Sequence, residues 1–332
     1  MAPLFTGSKF AFGLSPLVAA AVEPVVAGVY LDYGWYGGAE GSTAVDRIDW
    51  ANDTVTASAR GSNRASSSRG GGLSNLTHGW FSGGYIEALG GGMSTVDRIT
   101  YASDLSGGSA RANCPQSSNG RPGGFSNTTY GYWGPGMSSN GGAASSEITR
   151  VDFANDLTAP ANRTNTASPY IAHTGGASDF STYGWLLGGG FGGAGGVTGP
   201  TWSSVYRLTY ASDTSALSTR GNLANMSTGF ACGNQTHCWI GGSNDSLVSS
   251  ITRVTFSNDL ATSTNRGNLV RAMRRSGSGS NTYIWWAGGY VSGTSYSDVE
   301  RMEYVNDLST LSPRGPMSLS RTCLATNHMT LG

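Results

Sequence analysis

Side chains suited to chemistry are few in this sequence. Four histidines, His78, His173, His237 and His328, are scattered along 332 residues. None stands in an H-x-H or H-E-x-x-H spacing that would hold zinc or copper. The four cysteines, Cys114, Cys232, Cys238 and Cys323, make no C-x2-C pair. Cys232 and Cys238 could meet across one hairpin, but the expected state is four free thiols packed as small apolar groups. Neither a G-x-S-x-G elbow nor a Walker loop occurs, because the glycine runs follow strand-like segments and open no helix. A carboxylate pair could converge in space, yet only 20 acids exist and six of them belong to a repeat. The expectation is no catalytic residue, no metal, no cofactor and no enzyme activity.

The charged residues that stand out are in register. Arg47, Arg98, Arg150, Arg207, Arg253 and Arg301 each sit between apolar neighbours, as in Val96-Asp97-Arg98-Ile99 and Ile251-Thr252-Arg253-Val254. Three residues later comes an aromatic (Trp50, Tyr101, Phe153, Tyr210, Phe256, Tyr304). Three further on comes an aspartate: Asp53, Asp104, Asp156, Asp213, Asp259 and Asp307. Seven beyond each aspartate is another arginine, from Arg60 to Arg314, and the offsets hold in every copy. A ligand site is usually unique, whereas a residue repeated six times usually solves a repeated packing problem. Each aspartate is therefore expected to cap the turn that carries it, and the arginines to tie one blade to the next through that aspartate or through main-chain carbonyls.

These residues need a scaffold, and the sequence pattern supplies one. Apolar residues flanking each arginine at period two mark a half-buried strand. Upstream of each lies an aromatic strand ending in glycine, such as Trp35-Tyr36-Gly37-Gly38, Trp80-Phe81-Ser82-Gly83-Gly84 and Trp239-Ile240-Gly241-Gly242. Their large rings are expected to fill the space between neighbouring repeats. A small inner strand and an outer strand complete four per unit. Successive aspartates are 51, 52, 57, 46 and 48 residues apart, a period close to that of kelch propeller blades. The chain starts on the second strand type and ends on an orphan inner strand near 320–330. The expected fold is therefore all-β: a six-bladed kelch-like β-propeller over 29–332, its C-terminal strand closing the first blade.

Before it lies an N-terminal arm, residues 1–28. Leu4, Phe5, Phe10, Phe12, Leu14 and Leu17 make it too apolar for a solvated tail, so it is expected to dock on the propeller's own flank or on a neighbouring subunit, the neighbour being favoured. Glu23 and Pro24 interrupt its apolar run, and no secretory signal is expected. No stretch approaches the roughly 20 apolar residues of a membrane-spanning helix. The formal net charge of +0 removes the usual case for nucleic acid. Lys9 is the only lysine, and an all-arginine complement suits fixed, forked pairing with carboxylates.

Recognition is expected where the copies differ, in the loops between the aromatic and arginine strands. Alternating strand direction places all of these loops on one face. Their aromatics, Tyr85, Phe191, Trp202, Tyr290 and Tyr296, could stack on sugar rings or anchor a protein.

The copies Ser94 to Asp104 and Ala44 to Thr54, with their V-D-R-I-x-aromatic-A-N/S-D pattern, resemble kelch-like repeats in virion proteins of marine tailed phages. Tail-fibre, tail-tip and decoration proteins of cyanophages are of this kind. That resemblance, over about 29–332, implies a virion structural protein. It would bind other virion proteins through residues 1–28 and present its loops to a host-surface glycan or protein. A secreted carbohydrate-binding propeller is the alternative. A propeller enzyme ranks third, with Cys232 and His237 as the one pair suggestive of a copper-radical site.

Overall fold

The computed structural model describes residues 31–39, 41–64, 66, 70–86, 91–114, 123–136, 145–166, 174–190, 203–225, 229–242, 248–291, 293–321 and 324–325. They form six small antiparallel sheets in a ring, a six-bladed β-propeller. Blade 2 shows the plan: an inner strand Gly71–Ser74, an aromatic strand His78–Ser82, an arginine strand Val96–Thr100 and an outer strand Ser109–Arg111. Blades 3 to 6 repeat it. In blade 1 the inner strand is Leu324–Ala325, paired with Tyr33–Gly37 through Tyr36↔Ala325 and Gly37↔Leu324. The C-terminal segment thus closes the ring, which leaves no blade without a neighbour to cover its edge.

The arginine strands stop before their aromatic residue. Each of those aromatics instead opens a one-turn 3-10 helix, such as Trp50–Asn52, Tyr101–Ser103 and Phe256–Asn258. The aspartate of the repeat follows directly as its C-terminal flank.

Register explains why the repeat spacing is so strict. The ring of the aromatic strand lies directly opposite the arginine: Trp35↔Arg47, Trp80↔Arg98, Trp185↔Arg207, Trp239↔Arg253 and Trp285↔Arg301. Residues directly opposite share a face, so ring and guanidinium leave each blade together. In blade 3 that position belongs to Tyr132, opposite Arg150. Trp133, one residue on, packs with Leu73, Trp80 and Phe153 at the other side of the blade. Tryptophans are the largest of the fully buried side chains. Trp35, Trp80, Trp185, Trp239, Trp285 and Trp286 are essentially inaccessible to solvent.

Register also fixes the two faces of the disc. Tyr33 pairs with Asp49 and Tyr283 with Glu303. The starts of the aromatic strands and the 3-10 turns therefore share one face, the turn face. The loops between aromatic and arginine strands lie on the opposite, loop face.

Candidate functional site

The repeated residues converge between blades. The carboxylate of each aspartate meets the ring and both arginines of the preceding blade. Asp104 accepts from Trp35 Nε1 at 2.9 Å and Arg47 at 3.0 Å, with Arg60 at 3.6 Å. Asp156 meets Trp80 at 2.8 Å, Arg98 at 3.1 Å and Arg111 at 3.0 Å. Asp213 meets Tyr132 Oη at 3.0 Å, Arg150 at 2.7 Å and Arg163 at 2.6 Å. Asp259 takes Trp185, Arg207 and Arg220, and Asp307 takes Trp239, Arg253 and Arg266. The last blade reaches round to the first, where Asp53 accepts from Trp285 at 2.7 Å and Arg301 at 3.0 Å, with Arg314 at 3.3 Å.

The aspartates thus bond across the blade interface, where capping of their own turns was expected. Capping falls to other residues: Asp49 accepts from Ala51 N and Asp152 from Ala154 N. The 3-10 turn also brings its aromatic onto the same partner. Tyr101 stacks on Trp35 at 4.0 Å, Phe153 on Trp80 at 4.2 Å and Phe256 on Trp185 at 3.9 Å.

Burial alone would raise the Asp213 carboxyl. Hydrogen bonds from Arg163 and Tyr132, with the charges of Arg150 and Arg163, outweigh it and hold the group below its ordinary value. Asp259 is lowered in the same way by Arg220, Trp185 and Arg207. An ionised carboxylate saturated by fixed donors is a poor base or nucleophile and a good fastener.

Two of the histidines prove to be part of the same pattern. His78 and His237 occupy the place held by Tyr33, Tyr130, Tyr183 and Tyr283 in the other blades, two residues before the central ring. Those tyrosines lie under arginines, for example Arg47 over Tyr33 at 4.1 Å and Arg301 over Tyr283 at 4.2 Å. His78 Nδ1 bonds Thr77 Oγ1 at 2.7 Å and His237 Nδ1 bonds Thr236 Oγ1 at 2.8 Å. The threonines in turn bond Asn75 and Asn234. Burial, then the neighbouring Arg98 and Arg253, lower both imidazoles. His173 and His328 lie outside the described residues.

Cys232 pairs in register with Trp239, and Gly233 with Cys238. The two thiols therefore leave opposite faces of blade 5, into different clusters, and are free rather than bridged. Among the described residues no group of three His, Cys, Asp or Glu is placed to hold a metal ion.

The loop face is described best at blades 6, 1 and 2. Tyr290 and Tyr296 both belong to the blade 6 loop, where Tyr283–Val291 runs on to pair with Thr294–Ser295. Arg271 lies over the Tyr296 ring at 4.2 Å and pairs with Asp298 at 3.3 Å, and both charges are partly open to solvent. Beneath them Arg275, fully buried, bonds Glu300 at 2.5 Å and the Asp298 carbonyl at 3.2 Å. Burial raises the Glu300 carboxyl against the opposing charge of Arg275. Arg321 pairs with Asp46 at 3.1 Å, both inaccessible, and donates to the carbonyls of Tyr36 and Ala44. Arg64 pairs with Asp97 at 2.7 Å.

Spacing did not single out these arginines, because each comes from a different segment and follows no repeat. The one signal was the acid before the repeat arginine, present in Asp46, Asp97 and Glu300 and replaced by Thr149, Tyr206 and Thr252 elsewhere. Tyr85 belongs to a short ribbon, Tyr85–Ile86 with Gly91–Gly92, in the blade 2 loop. Phe191, Trp202, Cys323 and the arm residues Leu4, Phe5, Phe10, Phe12, Leu14 and Leu17 lie outside the described residues.

No family model matches the chain, and no curated protein does. Many solved chains are similar in fold. The structure of YjhT superposes with a TM-score of 0.66 at 10% identity, covering 88% of this chain and all of that one. At that identity the likeness establishes the propeller architecture alone.

Proposed function

We propose that this chain is a non-catalytic recognition propeller of a phage particle. Its loop face would meet a host-surface glycan or protein, and residues 1–28 would hold it to other virion proteins. The observation that carries the recognition reading is the division of labour in the sequence. The charged and aromatic repeat residues are consumed between blades, so what remains to vary is the loop face. At blade 6 that face offers a half-buried Tyr296 beside the partly exposed Arg271 and Asp298. A ring flanked by a charged hydrogen-bonding pair suits a polyhydroxylated ligand, which presents C–H faces to the ring and hydroxyls to the charges. The particle assignment is supported by the repeat motif and its resemblance to marine-phage virion repeats.

Two measurements test these readings separately. Antibody labelling of purified particles in electron micrographs should mark a fixed position on each particle, and unlabelled particles would remove the virion assignment. A glycan array probed with the full chain should return binders that Tyr296→Ala and Arg271→Ala weaken at least tenfold. Unchanged binding in both variants would move the site off blade 6.

A further inference from the structure

Two departures from the repeat meet at one place on the turn face. The residue just before each aromatic strand is threonine in blades 2 to 6 (Thr77, Thr129, Thr182, Thr236 and Thr282) and Asp32 in blade 1. The aromatic that opens each 3-10 turn is tyrosine or phenylalanine in those blades and Trp50 in blade 1. The backbone between the two positions is the same throughout. Trp50 N donates to the Asp32 carbonyl at 3.1 Å, just as Tyr101 N donates to Thr77 at 3.0 Å and Phe256 N to Thr236 at 2.9 Å.

What differs is the hairpin. In blades 2, 5 and 6 the threonine hydroxyl serves the turn from the inner strand by bonding Asn75, Asn234 and Asn281. Blade 1 takes its inner strand from Leu324–Ala325, so no such turn leads into Tyr33. Asp32 is exposed, and its carboxylate has no hydrogen bond or ion pair among the described residues.

Asp32 and Trp50 line a groove of about 610 Å³ between blades 6 and 1, a size within the range of about 300–1,000 Å³ found for small-ligand sites. Tyr33 and Asp49 join them from blade 1, and Asn281, Thr282 and Tyr283 line it from blade 6. Trp50 stacks on the buried Trp285 at 4.9 Å with planes 5° apart, and it stays partly exposed. Asp49 gives one oxygen to Ala51 N at 3.0 Å and pairs with no cation among the described residues. None of the described lining residues is Lys or Arg. Arg47 and Arg301 lie against Tyr33 and Tyr283, but they are committed to Asp104 and Asp53.

We infer that this groove binds a neutral saccharide. The partly exposed indole offers a flat apolar surface to sugar C–H groups, and the carboxylates and amide meet the hydroxyls. Carboxylates without a counter-charge accept hydroxyl protons in strong, charge-assisted bonds, and they repel sulfated or acidic sugars. Trp50 and Trp285 stack on each other instead of framing a cage, which favours a flat sugar ring over an ammonium ion. The site lies on the face opposite Tyr296 and Arg271, so it does not rest on the loop-face reading.

The test puts the full chain on an array of neutral oligosaccharides, with sulfated and amine-bearing counterparts beside them. Neutral glycans should bind. Asp32→Thr with Trp50→Tyr restores the residues of the other blades, so the variant should keep its melting temperature and weaken binding at least tenfold. If it melts lower, Asp32→Asn, which removes the charge and keeps the shape, carries the same expectation. Tyr296→Ala with Arg271→Ala should leave these glycans bound. Binding lost only in the loop-face variant keeps the loop-face reading and overturns this one. An array with no neutral glycan bound, or with binding confined to sulfated or amine-bearing sugars, overturns it as well. So does binding that the blade 1 variants leave unchanged.

Discussion

Removing one repeat aspartate should unfasten one interface and cost more than any other single carboxylate of the turns. In Asp259→Ala the carboxylate lost is 3% exposed, and the arginines it serves, Arg207 at 3.1 Å and Arg220 at 2.7 Å, are 20% and 17% exposed. Trp185 Nε1, at 2.8 Å, loses its acceptor too. Leaving a buried charge without its partner costs about 3–5 kcal/mol, and a buried N–H left unsatisfied about 1–3 kcal/mol. These share one acceptor and do not add, so about 4 kcal/mol is expected against a whole-domain stability of about 5–15 kcal/mol. Asp259→Asn keeps an acceptor for the indole but loses the charge, and should fall near half that loss. The reference is Asp152→Ala, which removes only an exposed cap on Ala154 N and should cost about 1 kcal/mol. At an m-value of about 3 kcal/mol/M the urea midpoint of Asp259→Ala should drop by about 1.3 M. Tryptophan fluorescence should report it, because Trp185 stacks on Phe256 at 3.9 Å. If Asp259→Ala loses no more than Asp152→Ala, the interblade carboxylate is not what fastens the ring.

Four other outcomes are expected. His78 and His237 are lowered from 6.5, so the fold favours their neutral forms and the unfolded chain takes up the protons. The stability they contribute is present above pH 6.5 and lost as pH falls below it. The lowered Asp213 and Asp259 add a second loss below about 3.8. Melting temperature against pH should show both limbs, and His78→Asn with His237→Asn should flatten the upper one. Burial pushes the Cys114 and Cys232 thiols up to about 12 and raises Cys238 further. All three should therefore resist a thiol reagent at pH 8 until urea unfolds the chain. A Cβ at Gly267 would strike the Ser309 carbonyl of the next blade. Gly267→Ala should cost about 1–3 kcal/mol by urea unfolding, and more than Gly41→Ala, which meets open space at φ +75°. Arg321→Met leaves the buried Asp46 without its counter-charge, with Ser318 N and Oγ still donating to it, and should lose about 3–5 kcal/mol, most of it restored by adding Asp46→Leu.

The fold was legible because each blade solves the same problem with the same residues. Fixed offsets from arginine to aromatic to aspartate identified strand, turn and outer strand, and the orphan C-terminal strand announced the closure that Ala325 and Tyr36 make. That the arginines could tie blade to blade through the aspartate was legible, but the ring that shares its carboxylate was not. Offsets within a repeat give the strand, but Trp80 and Asp156 are 76 residues apart, and only the packing of blade on blade says which face meets which. Nor did composition reveal that Tyr132 replaces tryptophan in blade 3. A phenol can reach the same carboxylate oxygen, so the chemistry is conserved while the residue type changes. Recognition residues were harder still, since loop positions such as Phe191 and Trp202 follow no period in the sequence.

Two positions suggest that the ring is read in halves. Along blades 1 to 6 the residue two before the central ring runs Tyr33, His78, Tyr130, Tyr183, His237, Tyr283, and the residue after the aspartate runs Thr54, Leu105, Leu157, Thr214, Leu260, Leu308. Both sequences repeat after three blades. The acids beneath the loop face break that symmetry, for Asp46, Asp97 and Glu300 sit in blades 1, 2 and 6, which adjoin one another. A half-ring repeat alone would let an equivalent edge compete for the closing strand. Asp46 removes that ambiguity, because only a segment carrying an arginine can bury against it, and the segment leading to Leu324–Ala325 supplies Arg321. The pair costs desolvation that an apolar contact would not. What it provides is register, at the junction where the pairs Tyr36↔Ala325 and Gly37↔Leu324 close the ring.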